Sequence, residues 1–270
     1  MAEPARRAPT PDIEADIEDG PERLDDESGP WVHRWVALPN GGFELREFPL
    51  TPEYFLDPQI GDQMVQGSLH GETIRLLCGL IERSFTSRDD VFIASDVKML
   101  WKDRDRRRPV PDVMVVRGIR DPKRDRESFD VGKEGVRPCL VIEVVSPKRA
   151  DLRRTDKVDK VELYAKEGIT EYLVLDPPRP KMNPGFQWTG YRLDEDGQDR
   201  KYRRIEPDAE GRILSETTGL KFGTSPDGQQ VFVFEAATGE RLLTPAEIQT
   251  ENERLREEIA RLKSSPRPAD

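Results

Sequence analysis

Apolar and polar positions alternate from Trp31 to Leu56 around the turn-forming Pro39-Asn40-Gly41-Gly42, a pattern that predicts a hairpin or an extended segment. From Met64 to Phe85 the period lengthens. His70, Ile74, Leu77 and Ile81 recur at i, i+4, i+7 and i+11, the spacing of one helical face. Strand-like runs follow at Val91 to Trp101 and at Pro111 to Val116, joined by the basic segment Lys102 to Arg108. Cys139 to Val145 is an apolar run of the kind buried on both faces of a sheet. A helix from about Thr155 to Glu167 comes next, ended by Gly168, and then a second apolar strand, Glu171 to Asp176. Strand, helix and strand in succession make a βαβ unit, so these two strands are expected to be parallel and adjacent. Phe186 to Leu243 reads as short strands with Gly and Asp turns, a β-rich extension of the same domain.

The last segment has its own pattern. Thr244-Pro245-Ala246-Glu247 is a capping box with proline at the first helical position. Ile248, Asn252, Leu255, Ile259 and Leu262 then follow at alternating spacings of four and three, an a/d seam with Asn252 at an a position. Such a seam is expected to make a homodimer through a short coiled coil, against the alternatives of a solvated helix or one packed on its own domain.

Charge changes this picture mainly at the N-terminus. Hydrophobic residues make up 35% of the 270 and charged residues 36%, so part of the chain is expected to be solvated rather than packed. Residues 1–30 hold ten carboxylates and three arginines, seven of the ten units of net negative charge, and are read as a disordered acidic tail. Residues 101–166 instead carry 19 Lys/Arg against 13 Asp/Glu, so the middle of the protein is basic although the pI is about 5.0. The expected organisation is thus the tail, one domain over residues 31–243, an amphipathic helix over 244–263 and a disordered end over 264–270. Cys78 and Cys139 stand far apart without a CxxC or a histidine cluster, which argues for a reducing compartment and against structural zinc. No apolar leader and no membrane span is visible, so a cytoplasmic protein is expected.

Glu143 interrupts the apolar run Cys139 to Val145, and a buried unpaired carboxylate costs several kcal/mol or takes up a proton. Its own strand offers no partner, since Val141 and Val145 share its face. Asp112, at the start of the preceding strand, would come close to it on a neighbouring strand, and two adjacent carboxylates call for a cation such as Mg2+ or Mn2+ between them. On the following helix Asp156, Lys160 and Tyr164 stack at i, i+4 and i+8, where Lys160 can reach the carboxylates. The set reads equally as the site of metal-assisted phosphodiester hydrolysis and as a buried structural ion-pair network.

PDVMVV, LVIEVVSP and DKVDKVELYAKEGITEYLVLDP, taken as a connected set, resemble the Uma-type restriction-endonuclease family, a branch of the PD-(D/E)XK nuclease superfamily. The resemblance runs from about Phe43 to Asp176. It implies a restriction-endonuclease-like α/β/α sandwich with a mixed central sheet and magnesium-dependent DNA cleavage. Asp112 then matches the PD aspartate and Glu143 the second metal carboxylate, with the Val144 carbonyl as third ligand. The superfamily lysine expected two residues after the acid is Val145 here, and Lys160 matches the helix-borne lysine of this family, with Asp156 and Tyr164 around it. His70 matches a first-helix histidine, although a lone histidine on an apolar helix face is more often a hydrogen-bonded core residue. Glu72 on the same helix is a further candidate carboxylate.

Basic residues flank this set: Arg104, Arg106 and Arg107 before Asp112, and Lys148, Arg149, Arg153 and Arg154 after Glu143. They are the expected contacts to the phosphates of DNA, the partner this reading implies. The expectation is therefore a Mg2+- or Mn2+-dependent DNA endonuclease. The alternative is a catalytically inactive nucleic-acid-binding or oligomeric interaction protein on the same fold, and a weaker third is a phosphoesterase acting on RNA or a small nucleotide.

Overall fold

A computed structural model of the chain describes residues 31–59, 62–64, 67–103, 106–145, 150–179, 183–194 and 200–264. The tail 1–30, and all but the first residue of the expected C-terminal tail, lie outside the described residues. The elements in chain order are β1 (Trp31–Ala37), β2 (Phe43–Pro49), α1 (Pro52–Leu56), β3 (Gln63–Met64), α2 (Ser68–Ser84), β4 (Val91–Ala94), β5 (Lys98–Leu100), β6 (Val113–Arg117), β7 (Ser128–Asp130), α3 (Val131–Glu134) and β8 (Pro138–Val144). They continue with α4 (Ala150–Arg154), a π-helical turn (Thr155–Asp159), α5 (Lys160–Glu167), β9 (Glu171–Asp176), β10 (Gln187–Leu193), β11 (Tyr202–Ile205), β12 (Ile213–Ser215), β13 (Leu220–Thr224), β14 (Val231–Glu235) and α6 (Pro245–Ser264).

Six strands form the central sheet in the order β11-β10-β9-β8-β6-β4. Only β8 and β9 run parallel, as the βαβ pattern requires, and the other neighbours are antiparallel, so the sheet is mixed. Alternation along β8 and β9 divides the core in two. Leu140, Ile142, Val144, Leu173 and Leu175 face one side, where Ile74, Leu77 and Ile81 of α2 and the small sheet β12-β13-β14 cover them. Val141, Val145, Tyr172 and Val174 face the other side, against Val161, Tyr164 and Ala165 of α5. Helices on both faces of a mixed sheet make an α/β/α sandwich, and the β-rich C-terminal part packs onto its α2 side.

Several elements differ from the sequence reading. The helix expected from Met64 starts at Ser68, and Met64 lies in β3. The end of the segment read as extended, Pro52–Leu56, is the helix α1, capped by the Thr51 side chain. Val91 to Trp101 is not one strand but two in different sheets, because Asp96 takes a left-handed φ of 56° and turns the chain between them. Aspartate tolerates that conformation better than most residues. The helix expected from Thr155 begins earlier, at Ala150, and passes through the π turn before becoming regular at Lys160. Gly168 ends it as expected, with φ 74° and backbone bonds to Ala165 and Tyr164.

Glu171, fully buried at the start of β9, fastens the small sheet to the central one. Its Oε1 accepts from Arg192 Nε and from the Glu216 backbone N–H, both at 2.9 Å, and its Oε2 accepts from the hydroxyls of Ser215 and Thr217. Removing this carboxylate leaves its buried donors unpaired. Glu171→Ala is expected to lower the unfolding free energy by about 3 kcal/mol or more in urea denaturation, and an unchanged midpoint would show that the network contributes nothing.

Candidate active site

The site grows out of one register. β6 and β8 are antiparallel with Val113 opposite Ile142, so the residues one step outward, Asp112 and Glu143, are neighbours. The ladder stops there because the Asp112 carboxylate takes over from the backbone: its Oδ2 accepts the Val144 N–H at 2.7 Å. His70, on the core-facing side of α2, stands 3.3 Å from Asp112 Oδ1 through Nε2. Asp112 is thus held between α2 and the strand that carries Glu143.

Glu143 is 1% exposed and both of its oxygens are engaged. Tyr164 donates its hydroxyl to Oε1 at 2.7 Å, and Lys160 Nζ lies 3.0 Å from Oε2. Lys160 also lies 2.8 Å from Asp156 Oδ1, and the ring of Phe55 covers its ammonium at 4.0 Å from the ring centroid. The π turn shapes this contact. Lys160 N–H bonds to the Thr155 carbonyl, one residue further back than in an α-helix, and the Asp156 carbonyl accepts the Tyr172 hydroxyl at 2.7 Å instead. Asp156 Oδ2 is buried with no hydrogen-bond partner among the described residues.

Two buried carboxylates, Glu143 and Asp156, therefore flank one lysine, with buried Asp112 on the strand next to Glu143. Burial raises Glu143 above the ordinary glutamate value, opposed by the Lys160 charge and reinforced by Asp112 and Asp156. Asp156 is raised for the same first reason, again against Lys160. Burial works against the Lys160 charge, but Asp156 and Glu143 outweigh it and hold the ammonium above its usual range. His70 is likewise raised, since the Asp112 hydrogen bond and charge overcome desolvation.

Of the expected residues, His70, Asp112, Glu143, Asp156, Lys160 and Tyr164 come together, with Val144 attached through its N–H. Glu72 does not join them; it is exposed and lines a groove with Leu76, Phe186 and Thr244. Arg106, Arg107 and Arg154 are exposed, and Arg106 pairs with Glu167 at 2.9 Å. Arg153, expected on the same basic surface, is instead 2% exposed, beside Leu152 where α4 packs against Val32 and Leu50. Arg104, Lys148 and Arg149 lie outside the described residues. Sequence reasoning passed over Phe55, Tyr172 and Asp96. Asp96 lies beside the site, its backbone N–H bonded to the Pro111 carbonyl at 3.2 Å, and partial burial and the Asp112 charge raise its carboxyl. A Ser-Asp pair interrupting a strand pattern was the one signal for Asp96, and nothing in the spacing pointed to Phe55.

Among the described residues no three His, Cys, Asp or Glu side chains form a group that could hold a metal. The smaller donor set nevertheless suits a cation that keeps most of its waters: magnesium commonly binds through one or two carboxylates. Asp112 and Glu143 supply two, each oxygen retaining acceptor capacity, and the surplus of buried negative charge over Lys160 would be offset by a divalent ion.

A mixed sheet with helices on both faces is the fold anticipated from the sequence. A family model, Uma2, described as "Putative restriction endonuclease", matches residues 49–263, and the chain belongs to that family. A solved structure of a DUF820 protein from Anabaena variabilis ATCC 29413, described as a putative nuclease, is similar at 18% identity. It covers 63% of this chain and 91% of its own, with a TM-score of 0.40. No curated protein matches.

The raised Glu143 sets a pH dependence. The folded state keeps its Glu143 proton to higher pH than the unfolded chain does, so unfolding free energy falls as pH rises above the ordinary glutamate value of 4.5. Urea denaturation across that range should show the decline in the metal-free wild type and a weaker one in Glu143→Gln. Magnesium should weaken it as well, by replacing the proton. Identical slopes for both proteins would mean that Glu143 is not the group taking up the proton.

Proposed function

We propose that this protein is a divalent-metal-dependent DNA endonuclease that acts as a homodimer, with Asp112 and Glu143 as the metal carboxylates and the Val144 carbonyl completing the set. The observation that carries the reading is the contact of Lys160 with Glu143, 3.0 Å apart and both 1% exposed, next to Asp112 on the adjoining strand. A magnesium or manganese ion held there supplies Lewis-acid polarisation of the scissile phosphoryl group and a more acidic attacking water. Lys160 contributes positive charge for the developing negative charge on phosphorus oxygens and a donor that orients the attacking water. Tyr164 and Asp156 hold Glu143 and Lys160 in place, and His70 holds Asp112. Arg107 and Arg154 are exposed cations that would contact the flanking phosphates, and Arg106, exposed but paired with Glu167, would exchange that pair for a phosphate. A cytoplasmic setting belongs to the same reading, since Cys78 and Cys139 are both free. No helix among the described residues is long and apolar enough to cross a membrane.

One observation favours the second reading, a binding protein without turnover. Both oxygens of Glu143 are engaged, and Lys160 sits between two carboxylates under an aromatic ring. Supercoiled plasmid separates the two. An endonuclease cleaves it with magnesium or manganese and not with chelator, and Glu143→Ala and Lys160→Ala each lose about 100-fold or more. Cleavage in chelator, or wild-type cleavage by Glu143→Ala, would sink the metal-site assignment. DNA retention in chelator with no cleavage under any metal would establish the binding protein.

A further inference from the structure

The helix α6 leaves the body of the protein in a fixed direction. Glu247 accepts the Thr244 N–H at 2.8 Å and Thr244 Oγ1 accepts the Glu247 N–H at 3.2 Å, so the capping box is formed on both sides. Arg241 pairs with Glu247 at 2.7 Å, and Arg83 donates to the Leu243 carbonyl at 2.6 Å. Beyond this anchored first turn the helix runs on into solvent, and its seam is bare: Leu255 is 43% exposed, Ile259 50% and Leu262 63%. A solitary helix of 20 residues with an uncovered apolar seam is marginal in water.

The charges beside the seam say what covers it. With Asn252 and Ile259 at a and Ile248, Leu255 and Leu262 at d, the g positions are Glu251 and Glu258 and the following e positions are Arg256 and Lys263. In a parallel pair each g residue meets the e residue five further along the partner, which sets Glu251 against Arg256 and Glu258 against Lys263, opposite charges throughout. An antiparallel pair would set glutamate against glutamate and cation against cation. Asn252 faces its own copy only in the parallel register, where a single a-position asparagine fixes the alignment and favours two strands. The pair Arg254–Glu251 that α6 makes within itself is open to solvent, so exchanging it costs little.

We propose that α6 is one strand of a parallel, in-register, two-stranded coiled coil between two copies of this chain, with Asn252 opposite Asn252 and Glu251–Arg256 and Glu258–Lys263 as the interchain pairs. The two-fold axis then runs along the stalk and both nuclease-fold domains sit at its N-terminal end. On the endonuclease reading, that symmetry suits a duplex, whose two strands are also related by two-fold axes, and presents one site to each strand. The stalk gives a structure to the homodimer proposed above, and its failure would remove the dimer without touching the site of Asp112, Glu143 and Lys160.

The test is sedimentation of the full chain over a range of concentrations, which does not depend on cleavage. The wild type is expected to associate from monomer to dimer. Glu251→Lys with Glu258→Lys should weaken association by at least about tenfold, as should Arg256→Glu with Lys263→Glu, since each turns four attractive pairs of the dimer repulsive. Mixing the two double variants should restore it as a heterodimer. A wild type that stays monomeric at every concentration would overturn the proposal. So would a dimer whose affinity ignores the charge reversals, or double variants that fail to associate when mixed.

Discussion

A carboxylate buried in the middle of a sheet has to find positive charge, and much of the architecture near Glu143 is arranged to bring it. The residue lies on the α5 side of the sheet, so any partner must come from the layer that covers that face. Lys160 comes from that layer, and it is itself buried, so the ammonium and the carboxylates are mutually dependent. Removing either would leave an uncompensated charge in a medium where such charges are costly. The π turn before α5, the Phe55 ring and the hydroxyls of Tyr164 and Tyr172 all act on this one contact.

Asp112 joins the same site by a different route. It stands where β6 would pair further with β8, and its carboxylate accepts the Val144 N–H that the ladder would otherwise leave unpaired. A backbone requirement is thus met by a side-chain atom. The fold places the two carboxylates as a consequence of antiparallel register, and no loop has to be held in a strained conformation to do so. His70 then links α2 to this edge, so both faces of the sandwich converge on it.

The strands and helices that carry the site were legible in the sequence because their apolar periods are strong. The β8–α5–β9 unit, the face shared by Val141, Glu143 and Val145, and the stacking of Asp156, Lys160 and Tyr164 all follow from periods of two and about four. What stayed hidden depends on backbone detail that leaves no period. The left-handed Asp96 splits one apparent strand into two, and the π turn looks in sequence like any other helical turn. Phe55 and the burial of Arg153 depend on how α1 and α4 meet across the domain, a long-range contact that local pattern does not encode. The helix α6 shows the reverse case, since its seam and its flanking charges lie within one helix.

The missing strand lysine has a physical explanation in the packing. Val145 is fully buried in the cluster on the α5 side, and its N–H bonds to the Leu175 carbonyl at 2.9 Å, so the chain at this point is committed to sheet and core. A lysine there would have to thread its ammonium past Val141, Tyr164 and Tyr172 or leave it buried without the Asp156 partner. Lys160 reaches Glu143 from the covering helix instead, and Asp156, one turn earlier, also balances its charge. The helix-borne position therefore delivers the same cation with a second carboxylate to hold it, at the cost of tying its placement to the docking of α5 and the turn before it.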